Sequence, residues 1–317
     1  MAAPVNFKAA TRKQAKASIL IEGLSGSGKT GLALELAHTL ANDDWEKVYA
    51  TDSENKSMCL YVGAHLSTDK VVGNFNVAEL SNDTGYKPTL YQYCRDYAIK
   101  HGGLVWIGDS LTHMWQAKGG VLDMVANAGQ TNKDKYAVWN DPEIKHEKNT
   151  IMDLIRSPKI HTINTVRVKE KMNYSTDDNG KTVLEKLGEL PIIAPEIDYE
   201  PDLVLRMVKA GNANGDAPIA KVEKSRYAIL TEGETYVFTK SLQVQLREYL
   251  NEGVDPETLL EEQRQDYIKA ITEYLNNNAS AKNIWEILKD NAGQKGVKLK
   301  DIPLDVIKKL YSDLASD

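Results

Sequence analysis

Residues 23–30 read Gly-Leu-Ser-Gly-Ser-Gly-Lys-Thr, between the apolar run Ala17–Glu22 and the stretch Lys29–Leu40, where Leu32, Leu36 and Leu40 recur at helical spacing. A glycine, four residues and then Gly-Lys-Thr, set between a buried strand and an amphipathic helix, leaves few folds open. Glycines let successive N–H groups curl inward, and the helix that follows adds the positive end of its dipole. Such a turn suits phosphate. Gly23, Ser25, Gly26, Ser27, Gly28 and Gly31 would cradle it, Lys29 would reach the outer phosphates, and Thr30 would ligate Mg²⁺.

The rest of the chain alternates accordingly. Strands are expected at Ala17–Glu22, Lys47–Ala50, Leu104–Gly108 and Lys159–Val168, with helices at Lys29–Leu40, Thr89–Lys100 and Pro142–Arg156. Strand–helix alternation argues for an α/β fold with a mostly parallel central sheet. After Gly188 two further strands are expected, Leu203–Lys209 and Ile219–Lys224, joined by the turn-rich Gly211–Gly215, and then a helix near Ser241–Leu250. From Gly253 only helical patterns remain: Pro256–Leu275, Ala281–Asn291 and Pro303–Leu314. The expected organisation is an N-terminal arm (1–16), a core (17–252) and a small C-terminal helical appendage (253–317).

Two acids carry the chemistry that a phosphate turn requires. Asp109 follows Leu104–Gly108 at the carboxyl end of an expected buried strand, where open α/β sheets bind ligands. It suits a contact to Mg²⁺, and equally the N-cap of a following helix. An ATPase also needs a carboxylate to aim the attacking water. The residue after Asp109 is Ser110, so the candidate base is Glu54, in Asp52-Ser53-Glu54 just past the second strand. His146 and His161 have no partners at metal-ligand spacing and are expected to be neutral structural histidines.

The chain has 317 residues, 42% hydrophobic and 26% charged, with a net charge of −6. It is not a general polycation, so binding to nucleic acid would need a local basic surface. Cys59 and Cys94 lie far apart and are expected to be reduced thiols. The N-terminus shows no apolar h-region, and no apolar run approaches the roughly 20 residues that span a bilayer. The expectation is a cytoplasmic protein with no membrane partner.

In order along the chain, these elements resemble the core of RecA-family ATPases. The pattern comprises the phosphate turn, Asp52-Ser53-Glu54, the apolar strand ending in Asp109-Ser110, Ile163-Asn164-Thr165-Val166-Arg167, and the late basic pair in Lys224-Ser225-Arg226. The resemblance covers roughly 17–250. It implies a RecA-like P-loop ATPase fold using ATP and Mg²⁺, and self-association as a filament or ring. It also implies that Lys224 and Arg226 would act on the γ-phosphate of a neighbouring subunit, and that Tyr61 would stack on adenine. Thr165 stands where the bacterial recombinases use Gln to sense the γ-phosphate; threonine is shorter and has no amide. Compact size, the basic pair and Thr165 resemble phage-encoded RecA-like ATPases of single-strand annealing, which implies the host cytoplasm and a single-strand binding protein or recombination partner.

The segment that begins at Arg167, near the end of the fourth expected strand, combines Arg167, Lys169 and Lys171 with Tyr174. Cations can track phosphates and a tyrosine can stack on a base, and in RecA-like proteins this region is a mobile DNA-binding loop, so single-stranded DNA is the expected partner. A second candidate, between Lys118 and Lys148, includes Lys133, Lys135, Tyr136 and Lys145 among several acids. The reading is thus a Mg²⁺-dependent ATPase acting on single-stranded DNA in recombination or annealing. Two alternatives stay open: an assembly scaffold driven by nucleotide with little turnover, and a P-loop small-molecule or nucleotide kinase, against which stands the lack of a clustered arginine lid.

Overall fold

The computed structural model describes residues 9–67, 71–130, 137–176, 182–210, 216–278 and 281–316, with side chains for all of these except 171–176, 182–187, 196, 198, 315 and 316. The chain divides into two compact units. One spans Ala15–Leu250; the other holds described residues 9–14 together with 251–316. Of the arm expected at 1–16, residues 9–14 group with the helical unit, where Lys13 bridges Val254 and the Gln14 N–H donates to the Val254 carbonyl at 2.9 Å, and Ala15 and Lys16 with the larger one.

Among the described residues the larger unit has nine strands: β1 (Ser18–Gly23), β2 (Val48–Asp52), β3 (Asn76–Glu79), β4 (Val105–Asp109), β5 (His161–Thr176), β6 (Thr182–Pro191), β7 (Leu203–Lys209), β8 (Ile219–Ser225) and β9 (Thr235–Val237). Their order is β3-β2-β4-β5-β1-β7-β8-β9, with β6 paired to β5. Pairings from β3 across to β7 are parallel, whereas β8, β9 and β6 add antiparallel.

Helices α1 (Lys29–Leu40), α2 (Pro88–Lys100), α3 (Leu111–Gln116), α4 (Val121–Gly129), α5 (Pro142–Ile155) and α6 (Lys240–Asn251) complete this unit. A parallel sheet must be covered on both faces, so its strands bury alternate residues in opposite directions. Ile19, Ile21, Val105, Ile107, Leu203 and Leu205 join the apolar core with α1 and α6. Their neighbours Leu20, Trp106 and Val204 join a second core with α2 to α5.

The smaller unit contains α7 (Pro256–Asn277), α8 (Ala281–Asn291) and α9 (Leu304–Ser316). Asp255 caps α7 by accepting from the Thr258 N–H at 2.9 Å, with Pro256 in the first turn, where its missing N–H costs nothing. Ile271, Trp285, Ile302, Ile307, Leu310 and Tyr311 form its own core. Among the described residues, no helix is long and apolar enough to cross a membrane.

The largest departure from the sequence expectation is β5. It continues well past Val168, and from there to Thr176 it is paired antiparallel with β6. The segment expected as a polar loop is therefore a two-stranded ribbon as far as Thr176. Asp177–Gly180 and the Gly211–Gly215 turn lie outside the described residues.

Candidate functional site

The glycine turn joins a fully buried strand to a helix, as its flanking sequence requires. β1 is buried throughout and α1 begins at Lys29. Gly28 precedes the helix at φ 90°, a left-handed conformation in which a Cβ would lie 2.7 Å from the Ala210 Cβ. At Gly23 a Cβ would stand 2.5 Å from Ser27 Oγ. Among the described residues the buried Ser27 hydroxyl has no partner, and Lys29 folds back to donate to the carbonyls of Gly23 (3.0 Å) and Leu24 (2.8 Å). The turn thus keeps its ammonium at the mouth of a cleft of about 470 Å³, a size suited to a nucleotide-scale ligand.

β4 lies between β2 and β5, and this order brings the acids together. Asp52 and Asp109 are register partners at the strand ends. Asp109, 1% exposed, accepts from Thr30 Oγ1 at 2.6 Å and from the Thr165 hydroxyl. Burial pushes its carboxyl above the usual range, against the pull of those two hydroxyls. Asp52 has a shaping role: fully buried, it accepts from the N–H groups of Glu54 (2.7 Å) and Met58 (2.9 Å), which bends the chain around it. Ser53 Oγ bridges Ser110 N–H (2.9 Å) and His113 Nδ1 (2.7 Å), fixing that loop to the end of β4, where the Asp109–Ser110 peptide is cis.

Glu54 lines the same cleft as Lys29, but it is not solitary. Arg167 donates Nε–H to Glu54 Oε1 at 2.8 Å and Nη2–H to Oε2. Burial raises the Glu54 carboxyl; the hydrogen bonds and charge of Arg167 outweigh it and hold the group below its ordinary range. Burial likewise lowers the Lys29 ammonium, opposed by Asp109 and Glu54. Arg167 was expected on a DNA-binding loop. It instead lies in β5 beside Gly23 of β1, its side chain in the cleft, because β5 continues as a strand through this position.

Ser25, Gly26, Gly28, Thr30, Gly31 and Tyr61 also line the cleft. Tyr61 covers Gly31, where an added Cβ would approach its ring edge at 3.7 Å. Thr165 does not reach the cleft: it is fully buried beneath it, with its hydroxyl engaged by Asp109. Gly23 and Ser27, expected in the cradle, are not among the residues that line the cleft, because the Gly23 backbone packs against the Ser27 side chain. Sequence reading missed the far end of the cleft, where Glu35, His65 and Ser67 meet. Glu35 accepts from the Ser67 N–H (2.8 Å) and hydroxyl (2.7 Å), tying the 57–67 segment to α1. Its one legible signal was an acid four residues after Gly31 on an otherwise apolar helix.

The basic pair sits elsewhere. Ser225 pairs with Leu203, which pairs with Ile19, four residues before Gly23. At about 3.3 Å per strand residue, Lys224 and Arg226 lie roughly 13 Å back along the sheet from their own glycine turn. There Lys224 donates to the Tyr199 carbonyl (2.7 Å), and Arg226 shares Asp202 with Arg156. Of the residues expected to meet DNA, Lys169 is exposed on β5; the side chains of Lys171 and Tyr174 lie outside the described residues, as do Lys133, Lys135 and Tyr136.

The Lys29 ammonium and the Thr30–Asp109 pair, a hydroxyl and a carboxylate beside one cleft, fit a nucleoside triphosphate with Mg²⁺. Thr30 and Asp109 would hold the ion. Among the described residues no three His, Cys, Asp or Glu side chains form a metal cluster, so the ion's other ligands would be phosphate and water. No protein-family model matches this chain, and no curated protein matches it.

Proposed function

We propose that this chain is a RecA-like, Mg²⁺-dependent ATPase that acts on single-stranded DNA in recombination or annealing, as an oligomer or filament. One observation carries the reading: a glycine turn between β1 and α1 whose threonine is bonded to the acid ending β4, with a second carboxylate, Glu54, across the same cleft. That set supplies what phosphoryl transfer to water needs, namely an N–H cradle, a cation, ion ligands and a base. Lys29 would move from its two loop carbonyls to the outer phosphates, Thr30 and Asp109 would hold Mg²⁺, whose charge would offset that developing on the phosphate, and Glu54 would orient the water. The Tyr61 ring over Gly31 offers the base a face. Lys224 and Arg226, too far from their own cleft, serve the cleft of a neighbouring subunit. The β5–β6 ribbon, carrying exposed Lys169, offers the DNA contact.

A scaffold reading, in which nucleotide drives assembly with little turnover, draws support from the Arg167–Glu54 pair, which occupies the base. Steady-state ATPase with and without single-stranded DNA at two salt concentrations separates the readings. The ATPase reading expects turnover stimulated by DNA, less so at high salt as phosphate contacts weaken, and abolished in Lys29→Ala. Binding and assembly with negligible turnover would leave the scaffold. Phosphate passing to a small acceptor, indifferent to DNA, would replace both readings with a kinase.

A further inference from the structure

One guanidinium engages both Glu54 oxygens, and a carboxylate so paired is a weaker base toward a water molecule. Arg167 and Lys29 are the arginine and lysine among the described residues that line the cleft. Thr165, which the resemblance places at the phosphate-sensing position, is fully buried with its hydroxyl on Asp109 and does not line the cleft. Arg167 lies two residues further along β5, the same side-chain parity, at the point where the strand leaves β1. A terminal phosphate presents two or more acceptor oxygens in the fork geometry that a guanidinium matches, and more negative charge than a carboxylate. The two anions would therefore compete for one cation.

We propose that Arg167 is the residue that reads the γ-phosphate: it clamps Glu54 while the cleft lacks a terminal phosphate, and transfers to that phosphate when it arrives, releasing Glu54 to hold the attacking water. This rests on the ATPase reading above and assigns within it the sensing role that Thr165 cannot fill. The nucleoside diphosphate, lacking the terminal group, leaves the clamp closed. Because the Arg167 N–H donates to Thr112 Oγ1 at 2.9 Å, the backbone is anchored and the exchange is confined to the side chain.

The test is binding of fluorescent ADP and of a non-hydrolysable ATP analogue, with Mg²⁺, to the full chain and to Lys29→Ala, Arg167→Ala, Arg167→Lys and Glu54→Gln. Arg167→Ala is expected to lose about tenfold or more in affinity for the triphosphate, the size of one lost charge-assisted hydrogen-bond pair, while ADP affinity stays within twofold. Arg167→Lys should fall between. Glu54→Gln, which keeps the shape and removes the competitor, should bind the triphosphate several-fold more tightly than the wild type, with ADP unchanged. Thermal melts identify any variant that fails to fold, and the near-isosteric Glu54→Gln decides the matter if Arg167→Ala does. Equal losses for both nucleotides in Arg167→Ala, or an unchanged or weakened triphosphate affinity in Glu54→Gln, would overturn the clamp and leave the ATPase reading standing. Failure of the wild type to bind either nucleotide would remove that reading, and the clamp with it.

Discussion

Thr30 Oγ1 lies 2.6 Å from Asp109 Oδ2, joining the first turn of α1 to the carboxyl end of β4 across residues 79 apart in sequence. A hydroxyl and a carboxylate so placed form a structural tie, and under the proposed function they would also hold the ion. Thr30→Val preserves shape and removes one ligand. Turnover is expected to fall on the order of 10²-fold, as for loss of one preorganised electrostatic contact, and half-activation to require more Mg²⁺. Titrating activity against Mg²⁺ checks this; an unchanged Mg²⁺ requirement would separate the pair from the ion.

Gly26 and Gly28 should respond differently to the same change. Both have positive φ, so an alanine at either is strained by about 1 kcal/mol. A Cβ on Gly26 meets nothing within 4 Å, whereas one on Gly28 meets Ala210 Cβ at 2.7 Å and Cα at 2.9 Å. Gly28→Ala is therefore expected to displace the turn and remove triphosphate binding, with Gly26→Ala retaining a weakened site. Calorimetric titration of the two variants would show it, and equal affinities would contradict this geometry of the turn.

Lys224 and Arg226 stand beyond the reach of their own cleft. Replacing both with alanine should abolish turnover in the assembled protein while each subunit still binds nucleotide. Adding subunits that carry Lys29→Ala but an intact Lys224 and Arg226 should restore part of the rate. Absence of any recovery over a range of mixing ratios would argue that the pair serves only to hold Asp202 and Tyr199.

Acidification should weaken the fold through His161. It is buried at the start of β5, where its Nδ1 accepts the Ala17 N–H at 2.9 Å, so the ring is held neutral. Burial, with some help from Lys16, lowers its pKa to about 3 from an unfolded value of 6.5. The unfolded chain then binds a proton that the folded chain refuses. Stability is intact above pH 6.5 and is lost progressively as pH falls from there toward 3, by on the order of 2 kcal/mol at pH 4.5. Urea unfolding at pH 7 and 4.5 should show a flatter pH dependence in His161→Gln than in the wild type; identical slopes would place the acid sensitivity elsewhere.

How much of this was legible follows from what each element depends on. β1, β4 and α1 are local: apolar runs closed by glycine or acid, and a leucine stripe, announce themselves within a few residues. β3 has three exposed residues of four and no alternating pattern, so only its pairing with β2 makes it a strand. The extension of β5 is polar, and its order comes from β6, a partner that no local pattern reveals. Lys29, Thr30, Asp109 and Glu54 were legible because each follows a strand or turn that is itself legible. The Arg167–Glu54 pair spans 113 residues and exists because β5 lies against β1 with β4 beside it; a linear reading gave Arg167 only its charge.

One continuous strand, β5, forms the wall behind Thr165 and Arg167 and then runs outward as half of the β5–β6 ribbon. Its full length of sixteen residues, on the order of 50 Å if straight, contains no glycine or proline to act as a joint. Its register against β6 nevertheless shifts between Lys171 and Met172, so the stretch that carries Arg167 and the outward stretch meet at a bulge, where a strand bends: the ribbon can change its angle while the anchored root beneath the guanidinium stays put.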